Sequence, residues 1–125
     1  MRKEGKKLRD IKFFSKKNDK MIVLHSEAEL AYAQKLEDDF DIASYEYGKA
    51  LEKAILGRIP HIEIRKEYFE DAMLTDFYII SRTGVISIRE MTSTNALAKL
   101  AEVEKLELSR RYWQFLGITD WKVVF

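Results

Sequence analysis

The sequence predicts an α/β fold, a central mixed sheet flanked by helices, and three observations carry that expectation. Two β-rich runs, Phe77–Ile80 and Val85–Met91, are joined through Ser81-Arg82-Thr83-Gly84, and Gly84 can supply the positive φ of a hairpin turn. A helix signature opens at Ser26 and continues to about Asp39. A longer one runs from about Asn95 to Leu116, with Ser93 or Thr94 as its cap and Gly117 as its terminator.

Taken in order, residues 1–10 read as a basic arm, followed by two short apolar strands, Ile11–Phe14 and Met21–Leu24, across the turn-like stretch 15–20. In the first helix, Ala28, Leu30, Ala31, Ala33 and Leu36 provide the apolar faces. Ile42–Tyr47 alternates as a strand does. Lys49–Gly57 has helical composition and is closed by Pro60, the only proline. The alternation of His61–Arg65 around Ile62 and Ile64 predicts a further strand. Glu107 and Arg111 lie four apart on the last helix, where they can pair. Tyr112, Trp113 and Phe115 sit at core spacing, and Trp121–Phe125 predicts a final strand.

At 125 residues, 46% of them hydrophobic, the chain is long and apolar enough for one packed domain. No stretch reaches the roughly 18 apolar residues of a membrane span, and the basic start lacks the apolar run of a signal peptide. The expected setting is cytoplasmic. The absence of Cys excludes disulfides, thiolate zinc sites and cysteine nucleophiles. No Gly-rich phosphate loop is present, and the serines lack a His/Asp relay. Of the two histidines, His25 and His61, His25 reads as a strand-end residue with a satisfied hydrogen bond, although beside the helix start it could touch phosphate or serve as a base. The net charge of +1 hides an asymmetry: residues 1–20 carry nine Lys/Arg against three Asp/Glu, and the remainder is net acidic. A basic arm on an acidic body suits a polyanion on the arm and a cation on the body, although a solvated terminus has the same composition.

Hydrolysing a phosphodiester calls for a divalent cation held by carboxylates beside an oriented water. One compact way to build that site places an acid on each strand of a hairpin, and Asp76 and Glu90 are so placed. Alternation puts Ile86, Ile88, Glu90 and Thr92 on one face of their strand and Arg89 on the other. Glu90 therefore shares a face with core isoleucines and wants a partner, for which a metal is one candidate. The Met91 carbonyl could add a ligand, and Glu29 could be a third acid if its helix packs over the sheet. Each acid also has a plainer reading. Ser26-x-x-Glu29 is the pattern of a capping box, Asp76 can simply begin a strand, and Glu90 can pair with Arg89 or a lysine.

The order of these motifs resembles the TnsA family of transposon end-cleaving endonucleases, in the PD-(D/E)xK superfamily. The family pattern runs from Ser-x-x-Glu and an acidic stretch entering a strand to Pro-Asp-Phe, a Gly turn and Glu-x-Lys. It closes with a helix of the form Lys-Leu-Glu-x-x-Arg-Arg-Tyr-Trp. This chain has Ser26 and Glu29, Asp38-Asp39-Phe40-Asp41-Ile42, Thr75-Asp76-Phe77, Gly84 and Glu90-Met91-Thr92. Lys105-Leu106-Glu107, Arg110-Arg111-Tyr112-Trp113 and Gly117-Ile118 follow. The resemblance covers residues 21–125 as a single nuclease domain, preceded at 1–20 by the basic arm and first strand. It implies a restriction-endonuclease-like core in which Glu29, Asp76 and Glu90 bind Mg²⁺, or Mn²⁺. It also implies an endonuclease acting on mobile-element or phage DNA, alongside a transposase, a transposition ATPase or phage proteins.

Departures from the pattern matter too. Thr75 replaces the family's proline, and Tyr47 follows Glu46 where the family often has Gln. Thr92 stands where the catalytic lysine belongs, and threonine cannot supply its positive charge. Lys99 could reach the site from the following helix. Lys3, Lys6, Lys7, Arg9, Lys12, Lys16 and Lys17 are the expected DNA-backbone contacts. The family's second, winged-helix-like domain has no counterpart in residues 21–125. Two rival readings follow: a catalytically impaired pseudonuclease that binds DNA or protein, and a plain oligomerising α/β domain.

Overall fold

A computed structural model describes residues 10–125 of the chain. Strands β1 (Ile11–Ser15) and β2 (Lys20–Leu24) form an antiparallel hairpin, from Ile11 opposite Leu24 to Ser15 opposite Lys20. Helix α1 (Glu27–Asp38) follows, with Ser26 as its N-cap accepting the Glu29 amide. Then come β3 (Ile42–Ala50), the short helices α2 (Lys53–Leu56) and α3 (Glu67–Glu70), and the hairpin strands β4 (Leu74–Ser81) and β5 (Ile86–Met91). Helices α4 (Thr94–Leu97) and α5 (Leu100–Phe115) and strand β6 (Trp121–Val124) complete the chain.

The main sheet has the order β3-β4-β5-β6, antiparallel except for the parallel β5–β6 pair. The β1–β2 pair is a separate sheet. This is the expected α/β class, with a mixed sheet between helical layers. Gly84 turns the β4–β5 hairpin at φ 85°, and Gly117 ends α5 at φ 84°. There, the Ile118 amide bonds the Trp113 carbonyl and the Gly117 amide bonds that of Gln114, the two bonds of a Schellman motif.

Alternation along the strands divides the core in two. On the α1 side, Phe77, Ile79 and Met91 pack with Ile22 and Leu24 of β2, Ala33 and Leu36 of α1, and Tyr45. On the α5 side, Ile88 packs with Leu108, Tyr112 and Trp113 and with Leu51, Leu56, Ile59, Ile64, Tyr68, Phe69 and Met73. Phe77 is wholly buried and meets the rings of Tyr32, Tyr45 and Tyr47 at centroid distances of 5.1, 6.3 and 5.3 Å. Truncating Phe77 to alanine is expected to cost about 3–5 kcal/mol, a large share of a typical domain's stability, and urea titration of Phe77→Ala measures it.

Three local expectations are corrected. The helix expected over Lys49–Gly57 shrinks to α2, because Lys49 and Ala50 extend β3 opposite Thr75 and Leu74. His61–Arg65 is not a strand. Its backbone groups are taken by α5 instead: Arg111 Nη1 bonds the Pro60 and Ile62 carbonyls, both at 2.9 Å, and Glu104 accepts the Arg65 amide at 2.8 Å. The helix expected from Asn95 to Leu116 is divided at Ala98 and Lys99, with Lys99 extended at φ −97° and ψ 129°. Glu107 does pair with Arg111, at 2.7 Å, and also with Arg110. These two guanidiniums, Arg110's hydrogen bond foremost, hold the Glu107 carboxyl down at about 2. Among the described residues, no helix is long and apolar enough to cross a membrane.

Candidate functional site

Strand β4 is paired with β3 along most of its length, including Thr75 and Leu74. On its other edge, pairing with β5 runs only from Ile80 opposite Ile86 to Phe77 opposite Arg89. Strand β5 is meanwhile held by β6 through Glu90 opposite Val123 and Met91 opposite Val124. Each strand is thus anchored on its outer edge at the point where the ladder between them stops. Two carboxylates take over there. The Asp76 amide donates to Glu90 Oε1 at 2.9 Å, and the Met91 amide donates to Asp76 Oδ2 at 2.8 Å. Acid side chains, not carbonyls, satisfy the backbone across the gap.

Both acids are buried, with Asp76 2% and Glu90 0% exposed. Glu90 lies on the α5 face with Ile86 and Ile88, as alternation predicts. Its Oε2 accepts the Ser109 hydroxyl of α5 and, at 3.2 Å, the Thr75 hydroxyl. Each hydroxyl in turn accepts an indole N–H: Trp113 Nε1 lies 2.7 Å from Thr75 Oγ1, and Trp121 Nε1 lies 2.9 Å from Ser109 Oγ. Burial pushes the Glu90 carboxyl up to about 8, and the Asp76 charge pushes the same way. The Ser109 hydroxyl and the Asp76 amide act against that rise.

Glu29 is buried on α1, and its Oε1 accepts the His25 amide and the Tyr47 hydroxyl, each at 2.9 Å. With the Glu29 amide on Ser26 Oγ at 3.1 Å, this is a variant of the capping box that reaches back one residue further. Asp76 and Glu90 meet; among the described residues, no group of three His, Cys, Asp or Glu is placed to hold a metal ion.

Thr92, in line with Glu90, donates its hydroxyl to Glu102 Oε2 at 2.6 Å. Lys99 is exposed at the α4–α5 break. Arg89 points away from Glu90 and pairs with Asp120 at 2.9 Å. The Met91 side chain belongs to the α1-side core. Of the basic residues expected on DNA, Lys12 and Lys16 are exposed. Lys17 instead donates to the Asp39 and Ile42 carbonyls at 2.7 and 2.6 Å, tying the first hairpin to the end of α1. Lys3, Lys6, Lys7 and Arg9 lie outside the described residues.

Sequence reasoning missed Thr75, Ser109 and the roles of both tryptophans. One signal was legible: Ser109 lies three residues after Leu106 and four before Trp113, a polar residue on the core face of a helix. No protein-family model and no curated protein matches this chain.

Proposed function

We propose that this chain is a divalent-cation-dependent DNA endonuclease domain of the TnsA type, with Asp76 and Glu90 as the cation ligands. One observation carries the reading: two carboxylates lie buried side by side where β4 and β5 part. Burying like charges together is costly, and a divalent cation offsets both the repulsion and the lost hydration. The donor set fits Mg²⁺ or Mn²⁺, which take hard oxygen ligands and are commonly bound through one or two carboxylates plus substrate phosphate. Bound there, the cation would polarise a phosphodiester and lower the pKa of an attacking water. The chain's own part is to hold the two acids in register across the strand gap. Lys12 and Lys16, with the basic residues before them, are the proposed contacts to the DNA backbone. Transposition or phage proteins that act on the same DNA ends are the proposed partners.

The pseudonuclease is the second reading, and particular observations favour it. Thr92 occupies the lysine's place and commits its hydroxyl to Glu102, Glu29 serves the start of α1, and Glu90 is closed to solvent. Titration calorimetry with Mn²⁺ and Mg²⁺, run beside supercoiled-plasmid nicking, separates the two. Cation binding that is lost in Asp76→Ala, accompanied by nicking, is the result expected of the nuclease. Binding without nicking points to the impaired form. No heat at millimolar cation removes the metal site altogether.

A further inference from the structure

We propose that Thr75 and Ser109 are positioning residues of this cation site, each aimed at Glu90 by one of the chain's two tryptophans. The inference rests on the cation reading above and concerns what holds the ligand in place.

The direction of each hydrogen bond follows from the donors available. An indole N–H can only donate, and a hydroxyl has a single proton. With Trp113 Nε1 on its oxygen at 2.7 Å, Thr75 directs its proton at Glu90 Oε2, 3.2 Å away. Trp121 Nε1, at 2.9 Å, constrains Ser109 in the same way. Two indole-to-hydroxyl relays thus converge on one carboxylate oxygen. The other oxygen, Oε1, is left turned to the Asp76 side of the gap, where it accepts the Asp76 amide at 2.9 Å. The carboxylate is oriented from three directions: β4 through Thr75, α5 through Ser109 and Trp113, and β6 through Trp121.

The arrangement does more than satisfy a buried acid. The two relays engage both lone pairs of Oε2 with fixed proton direction, and together they remove the carboxylate's rotational freedom. When Glu90 is ionised, as a bound cation would hold it, these donors leave both of its oxygens acceptors, the form in which it can ligate a cation. Partners of this kind, which orient a ligand without touching the metal, are the ones whose loss weakens metal affinity.

The test compares Mn²⁺ affinity by calorimetry in the native chain, Thr75→Val, Thr75→Ser, Ser109→Ala and Trp121→Phe. The indole N–H resonances of each variant are recorded alongside. Thr75→Val keeps the shape and removes the hydroxyl, and Thr75→Ser restores the hydroxyl. Thr75→Val and Ser109→Ala are expected to bind Mn²⁺ about 10–100-fold more weakly, with Thr75→Ser close to native. Trp121→Phe, at the sheet edge, should weaken binding less, since Ser109 keeps its proton and loses only its aim. Should Thr75→Val fail to fold, Ser109→Ala and Trp121→Phe decide. Folded variants that bind Mn²⁺ as the native chain does would overturn the positioning role while leaving the cation site standing. So would Thr75→Ser binding as weakly as Thr75→Val, because packing would then be responsible. A native chain that binds no Mn²⁺ removes the site and this inference together.

Discussion

Replacing Thr92 with lysine is expected to raise the plasmid-nicking rate by about 10²–10³, the range over which loss of one electrostatic contact to developing charge typically acts. Thr92 follows β5 on the face that carries Ile86, Ile88 and Glu90, so an ammonium introduced there comes from the acid-bearing side of the sheet. The local environment can accept it. Glu102, which now takes the Thr92 hydroxyl at 2.6 Å, is an acid that can pair with the new charge. The measurement is the initial nicking rate of supercoiled plasmid in Mg²⁺ for the native chain, Thr92→Lys, and Thr92→Lys combined with Asp76→Ala. A gain that the second substitution abolishes ties the rate to the acid pair. Unchanged nicking in a folded Thr92→Lys chain that still binds Mn²⁺ would count against the TnsA-type reading of this position.

Asp76→Asn is expected to stabilise the cation-free protein at neutral and mildly alkaline pH while abolishing its Mn²⁺ binding. The sign follows from Glu90, whose carboxyl rises from an ordinary value of 4.5 to about 8 in the folded chain. A raised carboxyl binds its proton more tightly when folded. Its contribution to stability is therefore fullest at acid pH and is lost as pH climbs from 4.5 towards 8. Burial is the larger cause of the rise and persists in the variant; the Asp76 charge is the part that asparagine removes. The side-chain amide oxygen of the substituted asparagine can still accept the Met91 N–H, so that donor keeps its partner. Each pKa unit by which Glu90 falls returns about 1.4 kcal/mol above that range. The carboxyls of Glu37, Glu107 and Asp120 are held below their ordinary values and lose their contributions only in acid. The difference in melting temperature between the two chains from about pH 5 to pH 8, in chelator, therefore reports on the pair. A native chain whose melting temperature does not fall across that window, or an Asp76→Asn chain that falls just as steeply, would contradict the account.

That outcome would be a trade of stability against function, with the residue that costs the apo protein stability being the one proposed to bind the ion. It would make thermal stability an independent check on the plasmid assay.

The parts legible in the sequence were those governed by local rules. Gly84 and Gly117 take the left-handed backbone that their turn and cap require. Ser26 caps α1, Glu107 pairs with Arg111, and alternation along β5 puts Glu90 on the α5 face opposite Arg89. Adjacency of Asp76 and Glu90 was legible for the same reason, since a hairpin with a short turn sets which residues face each other. What local rules could not decide was competition between partners. Lys49 and Ala50 have helical composition, but β4 offers them a ladder. His61–Arg65 alternates like a strand, but Arg111 claims the Ile62 carbonyl and that of Pro60 before it, and Glu104 claims the Arg65 amide.

The sequence by itself therefore determined the α/β class, the strand and helix faces, and the pairing of two acids across a hairpin. All of these follow from periodicity, caps and turn geometry within a few residues. Only the tertiary structure decided what those acids meet. How far β4 and β5 stay paired, which turn of α5 lies over the gap, and where β6 delivers Trp121 are long-range packing outcomes. They placed Ser109, 19 residues beyond Glu90, against its carboxylate, and the Tyr47 hydroxyl against Glu29. A buried charge takes its character from the donors packed around it, and that set forms only when distant segments come together.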